Sequence, residues 1–393
     1  MKKTTWVVAT LLLVFLPCLF AQQQTADGGY IIGGTTYSYT HGSMDSDFLI
    51  YKLDAAGNKL WRKNFGGTDY EYFGQVIQTA DGGYAVIGYT YSYTHGLSDF
   101  LVYRLDASGA KLWRKNLGGY GYDDGKRIVQ TADGGFAVTG DTLSYKVGGY
   151  DLLIYRLDAG GNKLWRKNFG GLDDEFGGFV DTTSDGGFLL AGYSYTYTHG
   201  ESDFLIYRLD AAGNKLWRKN YGGSGYDSST VVRRAADGGA LLAGYSNSYS
   251  DMNDFLVYRL DGAGNKLWRK NFGGEDTDHC YDVRQTADGG YLLCGDTRSY
   301  HHDTSDYDFL VYRLDAAGNK LWRRNYGGED GDYGFQAFST TDGGYLIFGD
   351  SDTYIHGTPG CDADLLIYRV DAAGLKLWRK NYGGDKNDYA FGK

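Results

Sequence analysis

Residues Lys111-Leu-Trp113-Arg-Lys-Asn116 form a hexapeptide that recurs, with small changes, seven times along the chain. Its tryptophan falls at these positions: Trp61, Trp113, Trp165, Trp217, Trp268, Trp322 and Trp378. Successive tryptophans are 52, 52, 52, 51, 54 and 56 residues apart. A period in this range is typical of radial or solenoid repeat architectures. The repeat therefore governs the fold expected for this 393-residue chain.

Each repeat contains four short runs that are rich in β-branched and aromatic residues, which we label a to d. In the second repeat they lie within 71–81, 82–96, 99–106 and 111–116. Gly, Asp or Asn ends each run, which favours turns. The Asp-Gly pair after run a is a strong hairpin indicator because both turn positions must tolerate positive φ. The pattern predicts an all-β chain of four-stranded antiparallel units, with no competing helical period.

Seven four-stranded units predict a seven-bladed β-propeller. The chain from Gln22 enters midway through run a, and its last residues, 388–393, align with 332–337. We expect the C-terminal segment to complete the N-terminal blade and to remove free strand edges. A parallel solenoid is the alternative, but it would not require the two ends to be complementary halves of one strand.

Residues 1–21 are predicted to be a secretory signal peptide, because two lysines precede an apolar run that ends at a small residue, Ala21. The apolar run is short for a membrane anchor. Lipidation at Cys18 is an alternative, although Pro17 before it does not suit lipoprotein processing. The remaining chain, 22–393, is expected to be one exported domain without a transmembrane span, located in the periplasm, at the cell surface or outside the cell.

The formal net charge is −10, and removal of Lys2 and Lys3 lowers it by two, to −12. This balance argues against nucleic acid and anionic membrane surfaces as partners. Three cysteines remain after the leader: Cys280, Cys294 and Cys361. A bridge between Cys280 and Cys361 is one hypothesis, and buried free thiols are the other. We expect the mature protein to be a monomer.

The units resemble those of secreted bacterial seven-bladed β-propeller repeat proteins, called SBBP-like repeats. Asp-Phe-Leu, Leu-Asp-x-x-Gly, Trp and Asp-Gly-Gly occur together in register from Gln22 to Lys393. The segment Leu105–Trp113 is similar to the tryptophan-docking motif of quinoprotein dehydrogenases. These resemblances imply the propeller architecture and export, and they imply no single activity.

All variation in repeat length lies between the glycine that ends run b and the aspartate that begins run c, where the separation ranges from 10 to 15 residues. The b–c and d–a loops share one side of an antiparallel meander, which we call the loop face. Variable loops on a rigid scaffold are typical binding sites. Tyr and His in the b–c loops suit sugar stacking or protein contact. The predicted ligand-binding residues are Tyr39, His41, Tyr93, His95, Tyr197, His199, His302 and His356. Cross-strand pairing is the alternative role for the tyrosines.

One acidic residue precedes each a–b turn aspartate by ten positions. If strand a lines the central channel, these carboxylates surround one mouth and would attract a cation such as calcium. The predicted metal-binding residues are Glu71, Asp123, Glu175, Asp227, Asp278, Asp332 and Asp388. The alternative is that each acid caps a turn.

Catalysis would require residues that break the repeat. Lys126, Arg127, Arg233, His279 and Arg284 do so, but they show no recognisable set of nucleophile, base and orienting group. We therefore predict no catalytic residues and no cofactor, calcium apart. The expected function is an exported binding module for an extracellular glycan or an envelope protein. A structural or protein-interaction ring of the envelope is the alternative, and a quinoprotein-like oxidoreductase is a minor one.

Overall fold

The structure, a computed structural model, describes residues 23–42, 45–301, 306–356 and 363–389. Within them the chain forms seven antiparallel sheets, each built from consecutive strands a to d. The predicted all-β, seven-bladed propeller is confirmed. The predicted signal peptide, 1–21, and Cys18 lie outside the described residues. No helical segment of the described ranges has the length and hydropathy to cross a membrane.

Strands are numbered β1 to β29 in chain order, and the four positions in a blade recur in the same sequence. Strand a comprises β5 (Glu71–Gln78), β9 (Asp123–Gln130), β13 (Glu175–Thr182), β17 (Asp227–Arg234), β21 (Asp278–Gln285) and β25 (Asp332–Ser339). Strand b comprises β2 (Tyr30–Thr36), β6 (Tyr84–Thr90), β10 (Phe136–Thr142), β14 (Phe188–Ser194), β18 (Ala240–Ser246), β22 (Tyr291–Thr297) and β26 (Tyr345–Ser351). Strand c comprises β3 (Asp47–Leu53), β7 (Asp99–Leu105), β11 (Asp151–Leu157), β15 (Asp203–Leu209), β19 (Asp254–Leu260), β23 (Asp308–Leu314) and β27 (Asp364–Val370). Strand d comprises β4 (Lys59–Phe65), β8 (Lys111–Leu117), β12 (Lys163–Phe169), β16 (Lys215–Tyr221), β20 (Lys266–Phe272), β24 (Lys320–Tyr326) and β28 (Lys376–Tyr382).

The ring closes in blade one, whose strand a is split between the two ends of the chain. β1 (Gln23–Gln24) pairs with the start of β2, and β29 (Asp388–Tyr389) pairs with its end. The predicted closure by the C-terminal segment is confirmed. Both chain ends are thus held by the same strand, which leaves no open seam between blades seven and one.

Hydrophobic clusters lie between neighbouring blades. In one of them, Phe48 of blade one packs with Phe73 and Tyr103 of blade two. The repeated tryptophan also bridges blades, since Trp113 of blade two packs edge-on against Phe136 of blade three at 6.0 Å. A single blade therefore cannot bury its apolar faces alone.

The repeated basic residue of strand c anchors the a–b turn of its own blade. The buried Arg104 guanidinium pairs with Asp81 and donates to the backbone carbonyl of Tyr84 at 3.1 Å. Gly82 in that turn has the predicted positive φ, +83°, whereas Asp81 does not, since no described residue other than glycine has a positive φ. The equivalent pairs are Lys52–Asp27, Arg156–Asp133, Arg208–Asp185, Arg259–Asp237, Arg313–Asp288 and Arg369–Asp342.

Cys280 and Cys294 are both buried and free. Cys280 lies opposite Gly295 on strand b, and Cys294 lies opposite Asp282, so they are out of register for a bridge. Burial raises the pKa of both thiols, which keeps them in the unreactive protonated form. Cys361 lies outside the described residues.

The pairing of the C-terminal segment with β2 predicts that one added methyl group lowers the stability of the protein at Gly34 but not at an uncrowded glycine. A Cβ on Gly34 would lie 2.1 Å from the carbonyl oxygen of Tyr389, so we expect Gly34→Ala to reduce the free energy of unfolding by about 1–3 kcal/mol. At Gly262 the nearest atom to an added Cβ is 3.5 Å away, so Gly262→Ala is the matched control. Denaturant unfolding measures both, and equal stabilities would contradict the closure described here.

Candidate functional site

The predicted metal-binding acids are the first residues of the strands a, and all of them are fully buried. Glu71 accepts hydrogen bonds from the Thr90 hydroxyl at 2.6 Å and from the Gly67 N–H at 2.7 Å. In the other blades the same two kinds of donor, a Ser or Thr hydroxyl and a d–a loop glycine N–H, bind the acid. Each acid therefore fastens the loops of its own blade.

A second buried carboxylate stands beside each of these acids. A Cβ on Gly66 would lie 1.8 Å from Asp47 Oδ1 and 2.4 Å from Glu71 Oε2, so both side chains close upon this glycine. Burial raises the pKa of Glu71, and the Asp47 charge raises it further. The structure thus brings the acids together in pairs within the blade walls.

The predicted calcium ring would require several carboxylates to converge around one mouth. Each acid instead accepts hydrogen bonds within its own part of the ring, although the Oδ1 atoms of four of them are buried without a hydrogen-bond partner among the described residues: Asp227, Asp278, Asp332 and Asp388. Among the described residues, no three His, Cys, Asp or Glu side chains are arranged to hold a metal ion. Calcium binding stays a prediction without a geometric basis in these residues.

Asp332 provides a pH test of the buried pairs. Burial, with a smaller contribution from Asp308, raises its pKa to about 7, against hydrogen bonds that lower it. Because the folded pKa exceeds the ordinary value, the stabilising contribution is complete below about pH 4 and is lost as pH rises through about 7. We expect Asp332→Asn to flatten the decline in melting temperature between pH 4 and 7.5, since each pKa unit corresponds to about 1.4 kcal/mol.

The exposed Asp330 in the preceding loop supplies the control for that experiment. Asp330→Asn is expected to leave the pH dependence of the melting temperature as in the parent protein. Parallel curves for the parent and for Asp332→Asn would contradict the assignment.

The predicted ligand-binding tyrosines brace neighbouring blades. The Tyr93 hydroxyl in blade two donates to the Gly66 carbonyl of blade one at 2.8 Å, and the Arg114 guanidinium lies 3.6 Å from the centre of its ring. Tyr39 and Tyr197 make the equivalent contacts, and so do four further b–c loop tyrosines: Tyr145, Tyr249, Tyr300 and Tyr354. One ring face and the hydroxyl of each are thus already engaged.

Each predicted ligand-binding histidine that the structure describes contacts an aspartate of its own blade. His95 places Nδ1 against the buried carboxylate of Asp99, which begins strand c. His41, His199 and His356 make the same contact with the matching aspartates. About half of each imidazole is exposed, and the four lie in different blades. His302 lies outside the described residues.

These contacts predict a stability role for Tyr93. Tyr93→Phe removes an interblade hydrogen bond and leaves the Gly66 carbonyl without that donor, so we expect a loss of about 1 kcal/mol in the free energy of unfolding. Tyr120, whose side chain is 89% exposed, is the control, and Tyr120→Phe should leave stability unchanged. Equal melting temperatures for the two variants would contradict this stability role and would leave Tyr93 available for ligand binding.

The residue that follows each strand a acid varies around the ring: it is Tyr in three blades and Asp, Phe, Ser or His in the other four. Successive strands a contact one another and surround the axis, so this position lies at the loop-face end of the channel, which we call the mouth. The cross-strand pairs there are Tyr72–Tyr89, Asp124–Asp141, Phe176–Tyr193, Ser228–Tyr245, His279–Asp296, Tyr333–Asp350 and Tyr389–Thr35. The mouth is therefore the asymmetric part of a nearly symmetric ring.

Aromatic side chains group around much of the mouth. In blade four, Phe176 packs with Tyr193 at 5.6 Å and with Tyr150 at 5.1 Å. In blade six, the His279 imidazole lies 4.5 Å from the Tyr245 ring and 5.9 Å from the Tyr307 ring. Of these residues the sequence singled out only His279, and a comparison of the position after each strand a acid would also have found Phe176.

Blades three, six and seven place acidic or basic residues at the mouth, and in blade seven this residue is Asp350. In blade three, Lys126 forms an ion pair with Asp141, and in blade six the His279 Nδ1 lies 3.0 Å from the buried Asp296. The His–Asp pair orients the imidazole. No described nucleophilic side chain forms a hydrogen bond with it, so the arrangement lacks the parts of a catalytic triad.

Below the mouth, the singular arginines are buried in the channel wall. Arg233 and Arg284 both bind the carboxylate of Asp282, at 2.8 and 2.6 Å. Arg127 lies over the Phe179 ring at 4.8 Å, and burial, with the charge of Arg233, lowers its pKa to about 9. These contacts join the strands a of blades three to six.

Among the described residues, the exposed apolar side chains of the loop face, Tyr70 apart, lie in the loops of blades two to five. They are Leu97, Tyr120, Val147, Leu172, Tyr195, Tyr226 and Met252. Tyr120 is 89% exposed, and Leu172 is 78% exposed. Surface patches of this kind mark interaction sites on soluble proteins. We call this set the apolar sector.

The described loops around the apolar sector and the mouth carry many more acids than bases. The acids are Asp45, Asp69, Asp173, Asp174, Glu201, Asp251, Glu275, Asp276, Asp306, Glu329, Asp330, Asp352 and Asp385. The bases are Lys146, Arg298 and Lys386. The loop face therefore favours a partner or ligand of positive charge.

A family model described as "Outer membrane protein assembly factor BamB" matches residues 46–287, which is more than half of the chain. The chain belongs to this family. The match agrees with the predicted relation to quinoprotein-type repeats, whereas the resemblance to SBBP-like repeats stays a prediction. No curated protein matches the chain.

Solved propellers are similar to the chain at low identity. The WD40 domain of Pan2 from Neurospora crassa is 11% identical, with a TM-score of 0.49 and 80% of each chain covered. A Synechocystis apocarotenoid oxygenase mutant is 10% identical, with a TM-score of 0.49 and 93% of each chain covered. We draw no functional argument from these likenesses.

Proposed function

We propose that the protein is a non-catalytic binding module of the cell envelope that docks another protein on its loop face. The apolar sector carries this proposal. Burial of its side chains would remove apolar surface from water, at about 25 cal/mol per Å². The acidic loops around it would select a partner with a basic surface and speed the encounter.

The family match supports the same proposal. Its description names an assembly factor of outer-membrane proteins, a role that consists of contact with other proteins in the envelope. An exported location is consistent with the predicted signal peptide. The buried, hydrogen-bonded state of the repeated acids and the engaged Tyr and His side chains support a rigid scaffold, on which exposed loops make the contacts.

Substitution within the apolar sector tests the docking proposal. The double variant Tyr120→Ser, Leu172→Ser should lose a partner that the parent chain captures from envelope extracts, with an unchanged melting temperature because both side chains are exposed. The matched control is Leu60→Ser, Leu112→Ser, since these strand d leucines are 58% and 57% exposed on the outer edge.

Cross-linking followed by mass spectrometry should place the captured partner against loops of blades two to five. Capture by the double variant at the parent level would contradict the proposal. So would the failure of the parent chain to retain any envelope protein.

A carbohydrate ligand is the second candidate, and the aromatic groups of blades four and six at the mouth favour it. Aromatic ring faces suit stacking against sugars, and the His279 imidazole would supply a hydrogen-bonding group. A glycan array with the chain from Gln22, run with calcium and with chelator, tests this candidate. Selective binding lost on His279→Ala would support it, and a blank array in both buffers would exclude the displayed sugars.

A further inference from the structure

Five tyrosines form an aromatic corner where blades one and two meet the mouth: Tyr37, Tyr70, Tyr72, Tyr89 and Tyr91. Tyr72 and Tyr89 are cross-strand partners whose rings stack at 5.0 Å with an interplanar angle of 22°. The Tyr70 ring extends the stack at 6.2 Å. Tyr91 stands nearly perpendicular to Tyr72 and Tyr89, at 6.3 and 6.2 Å. Two walls of the corner are therefore made of aromatic rings.

Carboxylates give this aromatic corner a negative electrostatic environment. Burial and then the charge of Asp124 raise the pKa values of Tyr89 and Tyr91, and Asp69 acts in the same direction on Tyr91. The Ser98 hydroxyl donates to Asp124 at 2.8 Å, and Asp124 lies opposite Asp141 on the neighbouring strand. A positive charge placed here would interact favourably with both the carboxylate and the ring faces.

Elsewhere on the loop face, arginine side chains cover the faces of tyrosine rings. On the outer part of the loop face, an arginine of strand d covers each bracing tyrosine, as Arg62 covers Tyr39 at 3.5 Å. At the mouth itself, the Arg298 guanidinium lies 4.4 Å from the centre of the Tyr307 ring. In the described ranges, no lysine or arginine is recorded over any ring of the aromatic corner. The rings of the corner are thus not covered by a cation from the described part of the chain, although Lys126, which pairs with Asp141, acts electrostatically on Asp124.

We propose that the aromatic corner and Asp124 bind a small organic cation that carries an ammonium or guanidinium group. The ring faces would supply cation–π attraction, and Asp124 would supply the counter-charge. A neutral sugar would stack on the same rings but would not use the charge of Asp124. The site lies in blades one to three at the axis, and it functions independently of protein docking on the apolar sector.

Calorimetric titration of the mature chain with choline tests the site, because the neutral isostere 3,3-dimethylbutan-1-ol has the same shape without the charge. We expect choline to bind at least about tenfold more tightly than the isostere, which corresponds to about 1.4 kcal/mol. Asp124→Asn and Tyr91→Leu should each weaken choline binding by roughly fivefold or more. Tyr120→Leu, on the same face but outside the corner, should bind choline as the parent does.

Melting temperatures identify any variant that fails to fold, and two independent variants keep the test decisive. Equal affinities for choline and its isostere would overturn the proposal, as would choline binding that survives both substitutions. Saturable binding of glucose or cellobiose without choline binding would assign the corner to sugars. An absence of choline binding to the parent chain would also overturn the proposal, without bearing on the partner-capture experiment.

Discussion

Contact between neighbouring blades is the constraint on which the rest of the structure depends. A four-stranded blade buries its central strands only when another blade covers each side. The hydrophobic clusters, the bridging tryptophans and the Tyr–Gly braces all serve this contact. Ring closure extends it to blades seven and one, where Tyr39 donates to the Gly383 carbonyl at 2.9 Å. A period of about 52 residues follows, since each unit must present the same two surfaces to its neighbours.

This constraint separates structural positions from those available for function. A residue repeated in every blade has a structural role: Tyr93 bridges two blades, whereas Arg104 anchors a turn and Glu71 holds the loop ends. Residues whose type varies from blade to blade at one repeat position do not have such a repeated structural role. They gather at the mouth and in the apolar sector, so the loop face combines a uniform scaffold with an asymmetric surface.

The fold could be predicted from the sequence because period, turn residues and chain ends are local or directly countable. The roles of the b–c loop tyrosines could not, because a sequence does not show that the Tyr93 hydroxyl reaches Gly66 in another blade. The acids were placed correctly at the start of strand a, but their burial depends on tertiary contacts with Thr90 and Gly67.

A β-bulge in strand a explains why the sequence did not show which residues lie at the mouth. The register of strand a shifts between Phe73 and Gln75, and equivalent shifts occur in other blades. Simple alternation of facing residues therefore fails along the innermost strand. Arg127, Arg233 and Arg284 lie in the channel wall, yet the contacts of Arg233 and Arg284 with Asp282 could not be inferred from spacing alone. The account divides the tyrosines of the loop face into those that brace neighbouring blades and those that are exposed. Hydroxyl-radical footprinting of the free chain, read by peptide mass spectrometry, tests this division most directly. The account predicts rapid oxidation of Tyr70, Tyr120 and Tyr226, with Tyr39, Tyr93 and Tyr197 protected until the ring unfolds. Equal oxidation rates for the two groups in the folded protein would contradict it.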